Sequence, residues 1–161
     1  MTDVLTKEQR HLNMSHIRGK DTSIEVKLRK ALFARGFRFR KNVGKMIGKP
    51  DIVLPKYKTV IFIHGCFWHR HQGCRYASTP KTRRDFWEEK FNRNIQRDKH
   101  QAEELINAGW HVLVVWECEL KQDMPRVVDE LEKIMLHILP VSTKKILIPG
   151  LDCFIETKRG K

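Results

Sequence analysis

The stretch DIVLPKYKTVIFIHGCFWHRHQGC, residues 51 to 74, sets two apolar runs directly before a dense group of histidines, cysteines and large aromatics. The runs DIVLP and KTVIFIHG are separated by the turn-like KYK, a spacing that predicts a β-hairpin in the core. Such a hairpin brings Asp51, at the start of one strand, and His64, at the end of the other, towards the same end of the sheet. The mixture that follows, HGCFWHRHQGC, is not one that core packing would choose, so the strand delivers a reactive loop to that end.

Working outwards, DTSIEVKLRKALFARGF reads as an amphipathic helix with Ile24, Leu28, Ala31 and Leu32 on one face and Gly36 placed to end it. Alternation in FRFRK then suggests a strand, followed by the glycine-bearing loop NVGKMIGKP. Beyond the reactive loop, TRRDFWEEKFNRNIQRDKHQAEELINAG is a long helical stretch, with or without a break, closed by Gly109. HVLVVWE is a buried strand and PRVVDELEKIMLHI a last amphipathic helix stopped by Pro140. This order predicts an α/β or α+β layered fold in a single domain, residues 1–161, with an N-terminal arm over residues 1–20 and an unassigned tail over 141–161.

Lys and Arg total 32 against 19 Asp and Glu, and the surplus is spread through RKALFARGFRFRK, KTRR, RNIQRDKH and TKRGK. A net charge of +13 distributed in this way points to a polyanion partner, nucleic acid above all. The first residues lack the apolar core of a signal peptide, and VIFI and VLVVW are too short to span a bilayer. The expectation is a soluble cytoplasmic protein with no membrane partner, whose four cysteines are thiols or metal ligands.

Cys66, His71 and Cys74 are spaced C-x4-H-x2-C, and Cys118 follows directly on the strand HVLVVWE. Three thiolates and an imidazole suit a tetrahedral structural zinc, which would pin a polar loop to the end of a core strand. His69 competes with His71 for that set, and buried cysteines can also serve as small hydrophobes. Cys153, in the tail, reads as a free thiol.

Asp51 opens a core strand, where an unpaired carboxylate is costly. A hard cation such as Mg²⁺ would resolve this, as would a turn cap or an arginine partner. Glu25 completes the capping box Thr22-x-x-Glu25, and it can serve a site as well only if its carboxylate turns away from the cap. His64 stands within plausible reach of an ion held by Asp51. His69, if it is not a zinc ligand, is free to act as a general base.

With Pro50-Asp51, Phe62-Ile63-His64 and Gly65-Cys66-Phe67-Trp68-His69 assembled, the chain closely resembles the very-short-patch repair (Vsr) DNA mismatch endonucleases. The likeness runs from Asn13-Met14 to Trp116-Glu117-Cys118 and includes Phe86-Trp87, Glu89-Lys90, Asn94 and Arg97-Asp98. The resemblance implies a restriction-endonuclease-like core, a central mixed β-sheet flanked by helices, with a structural zinc. It implies a Mg²⁺-dependent nick on the 5′ side of the thymine in a T:G mismatch, the lesion left by deaminated 5-methylcytosine. In that family the residue matching Asp51 and the main-chain carbonyl matching Ile63 hold the metals, and those matching Glu25 and His64 hold water on them. The match to His69 is the general base, and Cys66, His71, Cys74 and Cys118 match the zinc ligands. Phe67, Trp68 and Trp87 match aromatics that wedge into the base stack, with Met14 entering from the other groove, while Lys90 and Asn94 match residues on the mispaired bases.

Two departures stand out. Position 63 is isoleucine where threonine is common, and Gln72-Gly73 makes the zinc loop one residue longer than the family pattern. The resemblance further implies a monomer acting on double-stranded DNA, with accessory mismatch-repair proteins as candidate partners. A restriction-type enzyme cutting both strands and a non-catalytic, zinc-stabilised DNA-binding module are the alternative readings.

Overall fold

The predicted hairpin forms, and the rest of the sheet is built on it. In the computed structural model, which describes residues 6–16, 21–41 and 43–138, strand β2 (Ile52–Leu54) passes through one 3-10 turn at Pro55–Tyr57 into β3 (Thr59–His64). Lys58, in the left-handed region at φ 46°, closes the turn. The antiparallel register sets Ile52 against Ile61 and Leu54 against Thr59.

On the outer side of β2, strand β1 is only Arg40–Lys41, shorter than the alternation in FRFRK suggests. The reason lies at the end of helix α2 (Ser23–Ala34). Gly36, at φ 89°, donates to Phe33 O, and the N–H of Phe37 donates to Leu32 O at 3.1 Å. Those N–H groups close the helix in a Schellman arrangement and are not available to a strand. The Phe37 ring turns into the core instead.

On the inner side, β4 (His111–Trp116) pairs with β3 in parallel, from Thr59 opposite His111 to His64 opposite Trp116. A parallel neighbour needs a crossover, and helix α3 (Arg84–Asn107) supplies most of it. It is a single unbroken helix, closed by Gly109 at φ 86° with Trp110 N bonded to Leu105 O. Helix α4 (Glu117–Ile138) starts directly on β4, earlier than the PRVVDELEKIMLHI pattern indicates. It kinks at Asp123 (φ −155°), because Pro125 has no N–H to give the preceding turn, and Asp123 Oδ1 accepts from Arg126 N to start the second segment. Within the arm expected over residues 1–20, Lys7–Ser15 form helix α1, started by a capping box between Thr6 and Gln9 and exposed throughout. The tail over 141–161, with Cys153, lies outside the described residues.

The strands bury both faces, which is why VIFI and VLVVW read as continuous apolar runs. Ile52, Leu54, Ile61, Leu113 and Val115 pack with Leu28 and Leu32 of α2 and with Leu120, Val127, Val128, Leu131 and Met135 of α4. Val53, Val60 and Val112 face the opposite way, with Leu105 and Ala102 of α3. The result is an α/β layer structure, a mixed four-stranded sheet in the order β1-β2-β3-β4 with helices on both sides. Among the described residues no helix is long and apolar enough to cross a membrane. The parallel pair ends level at His64 and Trp116, so the loop after β3 and the first turn of α4 leave the sheet side by side.

Candidate active site and metal centre

A cleft of about 480 Å³ opens at the end of β3, lined among others by Glu25, Asp51, Ile63, His64, His69, Arg97 and Asp98. Asp51 precedes β2, and its Oδ2 accepts the Ile63 N–H at 2.7 Å, so the hairpin itself aims the carboxyl. Glu25 lies in the first turn of α2. Thr22 Oγ1 accepts its N–H and donates to its Oε1 at 2.8 Å, while Oε2 is buried without a partner. One carboxylate oxygen thus stays at the cap hydroxyl, and the other lies in the wall of the cleft.

His64 and His69 stack ring on ring, with centroids 3.9 Å apart and planes 10° from parallel. His69 Nδ1 meets Asp98 Oδ2 of α3 at 2.5 Å. Asp98 was part of the family likeness, but no role followed from it; its signal is position. Phe91, Asn94, Asp98, Ala102 and Leu105 form the inward stripe of α3 at helical spacing, and one member of that stripe is a carboxylate.

Burial pushes the Asp51 carboxyl up from 3.8 to about 6, against the Ile63 N–H, with the neighbouring Glu25 adding to the rise. Burial likewise drives His64 down to about 3, helped by His69, so its imidazole is neutral at physiological pH. Asp98 moves the other way: burial opposes it, but the hydrogen bond and charge of His69 hold its carboxyl below the ordinary value.

On the other side of Trp116, Cys66, His71, Cys74 and Cys118 bring one ligand atom each to within 4.8 Å of one another. The competition between His71 and His69 is resolved in space. His71 Nδ1 stands 3.2 Å from Cys118 Sγ and its ring stacks on Trp116, whereas His69 is engaged by Asp98. Burial pushes the Cys118 thiol up to about 12, with Cys66 and Cys74 adding to it. Burial raises the Cys66 thiol too, whereas at Cys74 the bonds from the Tyr76 backbone and the neighbouring thiols outweigh burial and lower it. This soft set could hold a zinc ion. Gln72-Gly73, between His71 and Cys74, are exposed, with Gly73 at φ 69° and open space around it.

Between these centres and α3 lies an aromatic ridge. The Phe67 ring packs edge-on to Trp68, Trp87 and Phe91, with centroids at 5.0, 5.5 and 5.3 Å. Lys90 Nζ sits 5.1 Å from the Trp68 ring and 5.4 Å from Trp87. Asn94 Nδ2 donates to Trp68 O at 3.1 Å. Arg70 ties the loop to α3 by lying 4.2 Å over Phe91 and bonding Thr79 Oγ1. Met14 stands apart, 45% exposed on α1, and does not line the cleft.

Residues 2–75 match the family model for the DNA mismatch endonuclease Vsr. The chain is 53% identical over 121 residues to the type II nicking enzyme V.NmeAIP of Neisseria meningitidis serogroup A, covering 75% of this chain and 86% of the relative. It belongs to the Vsr DNA mismatch endonuclease family. Within that family it is also 45% identical over 120 residues to the type II nicking enzyme V.XorIIP of Xanthomonas oryzae pv. oryzae, covering 74% and 88% of the two chains. Identity to the DNA mismatch endonuclease Vsr of Escherichia coli (strain K12) is 44% over 121 residues, covering 75% and 77%. As a Vsr-family protein the chain is an endonuclease, a hydrolase of phosphodiester bonds with a restriction-endonuclease-like fold. Nucleases of this family depend on metal ions. The unpartnered Oε2 of Glu25 and the buried carboxyl of Asp51 are hard oxygen donors that fit a divalent cation in the cleft.

Two outcomes follow for this Vsr-family chain. Cys118→Ser should release the metal held by the thiol cluster and lower stability, because binding energy at a structural site is folding energy; metal content by mass spectrometry and an unfolding curve check both. His71→Ala should do the same, and His69→Ala should keep the metal. The second concerns Asp51. Its folded value is raised, so the folded chain holds this proton more tightly than the unfolded one. That contribution is complete below 3.8 and is lost as pH rises towards about 6. Without added divalent cation, Asp51→Asn should therefore be more stable than wild type at about pH 7.5, by up to ~3 kcal/mol, and the gain should vanish near pH 4. Chemical denaturation of both proteins across that range measures it.

Proposed function

We propose that this chain is a Mg²⁺-dependent endonuclease that nicks DNA on the 5′ side of the thymine in a T:G mismatch, initiating very-short-patch repair of deaminated 5-methylcytosine. One observation carries the reading: adjacent loop residues are held by one helix, Trp68 through Asn94 and His69 through Asp98. The ring that would enter the base stack and the imidazole that would take the proton are therefore positioned together.

Asp51 and the Ile63 carbonyl would hold Mg²⁺, with Glu25 and His64 on its water, and Cys66, His71, Cys74 and Cys118 would hold Zn²⁺. When bound, Mg²⁺ offsets charge on the scissile phosphate and on the entering and leaving oxygens. The remaining steps belong to the chain. An ionised Asp98 accepts from Nδ1–H of His69, which fixes the tautomer and leaves Nε2 free to take a proton from the attacking water. Asp98 then stabilises the imidazolium that forms. Neutral His64, stacked on His69, can hydrogen-bond water without placing a second positive charge beside it. Attack at phosphorus leaves a 5′-phosphate and a 3′-hydroxyl.

Phe67, Trp68 and Trp87 would wedge into the stack beside the mismatch, with Met14 from α1 in the opposite groove. Unstacking costs a few kcal/mol per step and less where pairing is imperfect, which favours insertion at a mismatch. Lys90, poised over the ridge, and the Oδ1 of Asn94, left free by its bond to Trp68, would contact the mispaired bases. The chain would act as a single-domain monomer beside chromosomal DNA in the cytoplasm, with mismatch-repair proteins as candidate accessories.

Purified protein incubated with Mg²⁺ should cut only the thymine strand of a T:G duplex and leave its T:A counterpart intact, as followed by labelling each strand in turn. Cleavage of both strands of the T:A duplex would establish the restriction-type reading, and binding without cleavage a DNA-binding module. His69→Ala should lower the nicking rate by about 10²–10⁴ while mismatch binding persists. Phe67→Ala with Trp68→Ala should stay folded and metal-loaded yet lose most of its T:G preference, since each stacked ring returns about 1–3 kcal/mol. Competition binding measures that loss.

A further inference from the structure

Glu25, Asp51 and Asp98 bring three carboxyl groups into one cleft, and the group that must enter it on the endonuclease reading is itself an anion. A cation bound there would offset only part of that charge. Two cationic side chains line the same cleft and have no part in the chemistry described above: Lys49, from the loop before β2, and Arg97, from α3.

Lys49 is held in an unusual way. Its φ is 48° and that of Gly48 is 73°, two consecutive left-handed residues of which only one is glycine. Such a conformation is strained at a non-glycine residue. Gly48 packs closely there: a Cβ at position 48 would meet Phe62 Cζ of β3 and Gln101 Oε1 of α3 at 3.1 Å each. The Lys49 N–H is spent on Met46 O at 3.1 Å. The turn is thus pressed between strand and helix, and Lys49 is delivered to the cleft two residues before Asp51. It is exposed and, among the described residues, forms no ion pair with the carboxylates beside it.

Arg97 stands next to Asp98. Its NH2 group donates to Asp98 Oδ1 at 3.1 Å, and its side chain is 52% exposed, so the rest of its guanidinium fork is open to the cleft. A guanidinium held by a carboxylate at one corner keeps donors for a phosphate at another.

We propose that Lys49 and Arg97 form a two-point clamp on the backbone phosphates flanking the scissile one. This rests on the endonuclease reading above. Phosphate contacts fix the register of the duplex and carry no base information, so the clamp seats the strand over Asp51 and His69 while the aromatic ridge decides where it stops. It strengthens matched and mismatched duplex binding equally.

The test uses Lys49→Gly, which suits the left-handed turn, Arg97→Gln, and the conservative Lys49→Arg, with unfolding midpoints measured alongside. Binding to T:G and T:A duplexes is followed over a salt series without Mg²⁺. Each charge removal should reduce the slope of log K against log salt by about 0.9 on both duplexes, with the same fold-loss on each, and Lys49→Arg should restore it. A neutral methylphosphonate beside the cleaved position should weaken the unaltered protein and weaken Lys49→Gly or Arg97→Gln no further. Wild-type slopes in the variants, a loss confined to the T:G duplex, or a methylphosphonate effect of full size in both variants would each overturn the clamp. Nicking by the unaltered protein is scored in the same preparations. Failure of the endonuclease reading appears as no product from the unaltered protein, and failure of the clamp as normal product with unchanged slopes.

Discussion

Both reactive centres depend on the parallel pairing of β3 with β4. With His64 level with Trp116, the loop that leaves β3 and the helix that leaves β4 start from neighbouring points. Cys66 and Cys118 each lie two residues beyond those points, so two of the four members of the Cys/His cluster are set by the sheet alone. Trp116 is the partition between the two centres. Its ring stacks on His71 at 4.2 Å and meets His64 edge-on at 5.4 Å, so a shift of the cysteine-bearing loop and a shift of the His64 and His69 imidazoles are felt by the same side chain. A loop of polar and aromatic residues has no core of its own, and here it is fixed by ligands on one side and by helix α3 on the other.

The cleft is organised at a cost to stability. A half-buried Asp51 near a buried Glu25, whose Oε2 has no partner, is the kind of arrangement a fold does not choose for its own sake. The charges that relieve it are nearby: Arg29, buried on α2 and held by Asp21, and His69 both pull the Asp51 carboxyl back down. Both carboxyl groups line one cleft, and a cation bound there would remove a penalty in addition to forming bonds.

Much of this was legible in the residues, and what was not has identifiable causes. The hairpin, the crossover helix and the buried strand follow from apolar runs punctuated by KYK and Gly109, and the structure contains them. The strand suggested by FRFRK mostly fails, because a helix cap competes for the same N–H groups, and alternation carries no record of that competition. The first segment of α4 was hidden because Pro125 marks a start for the second segment and masks the turns before it. Spacing left His69 and His71 equivalent as partners of Cys66. Only the stacking on Trp116 and the reach of Asp98 from a distant helix separate them, and both are tertiary facts. Asp98 itself was visible as a carboxylate on an inward helical stripe, but its target could not be read without the crossover that sets α3 against the loop.

Helix α3 also determines which changes of length this molecule can tolerate. Asn94 and Asp98 grip consecutive loop residues from positions one turn apart on a rigid rod, and Lys90 stands one turn before them. At 3.6 residues per turn, a single inserted residue between any two of them would swing the rest of the helix by about 100° and point one grip into solvent. The loop opposite is less constrained: Gln72-Gly73 are exposed, and Cys74 beside them lies with Cys66, His71 and Cys118. In a lineage of such chains, gains and losses of residues should therefore gather in the metal loop and avoid the helix, even where the amino acids along the outer face of that helix drift freely.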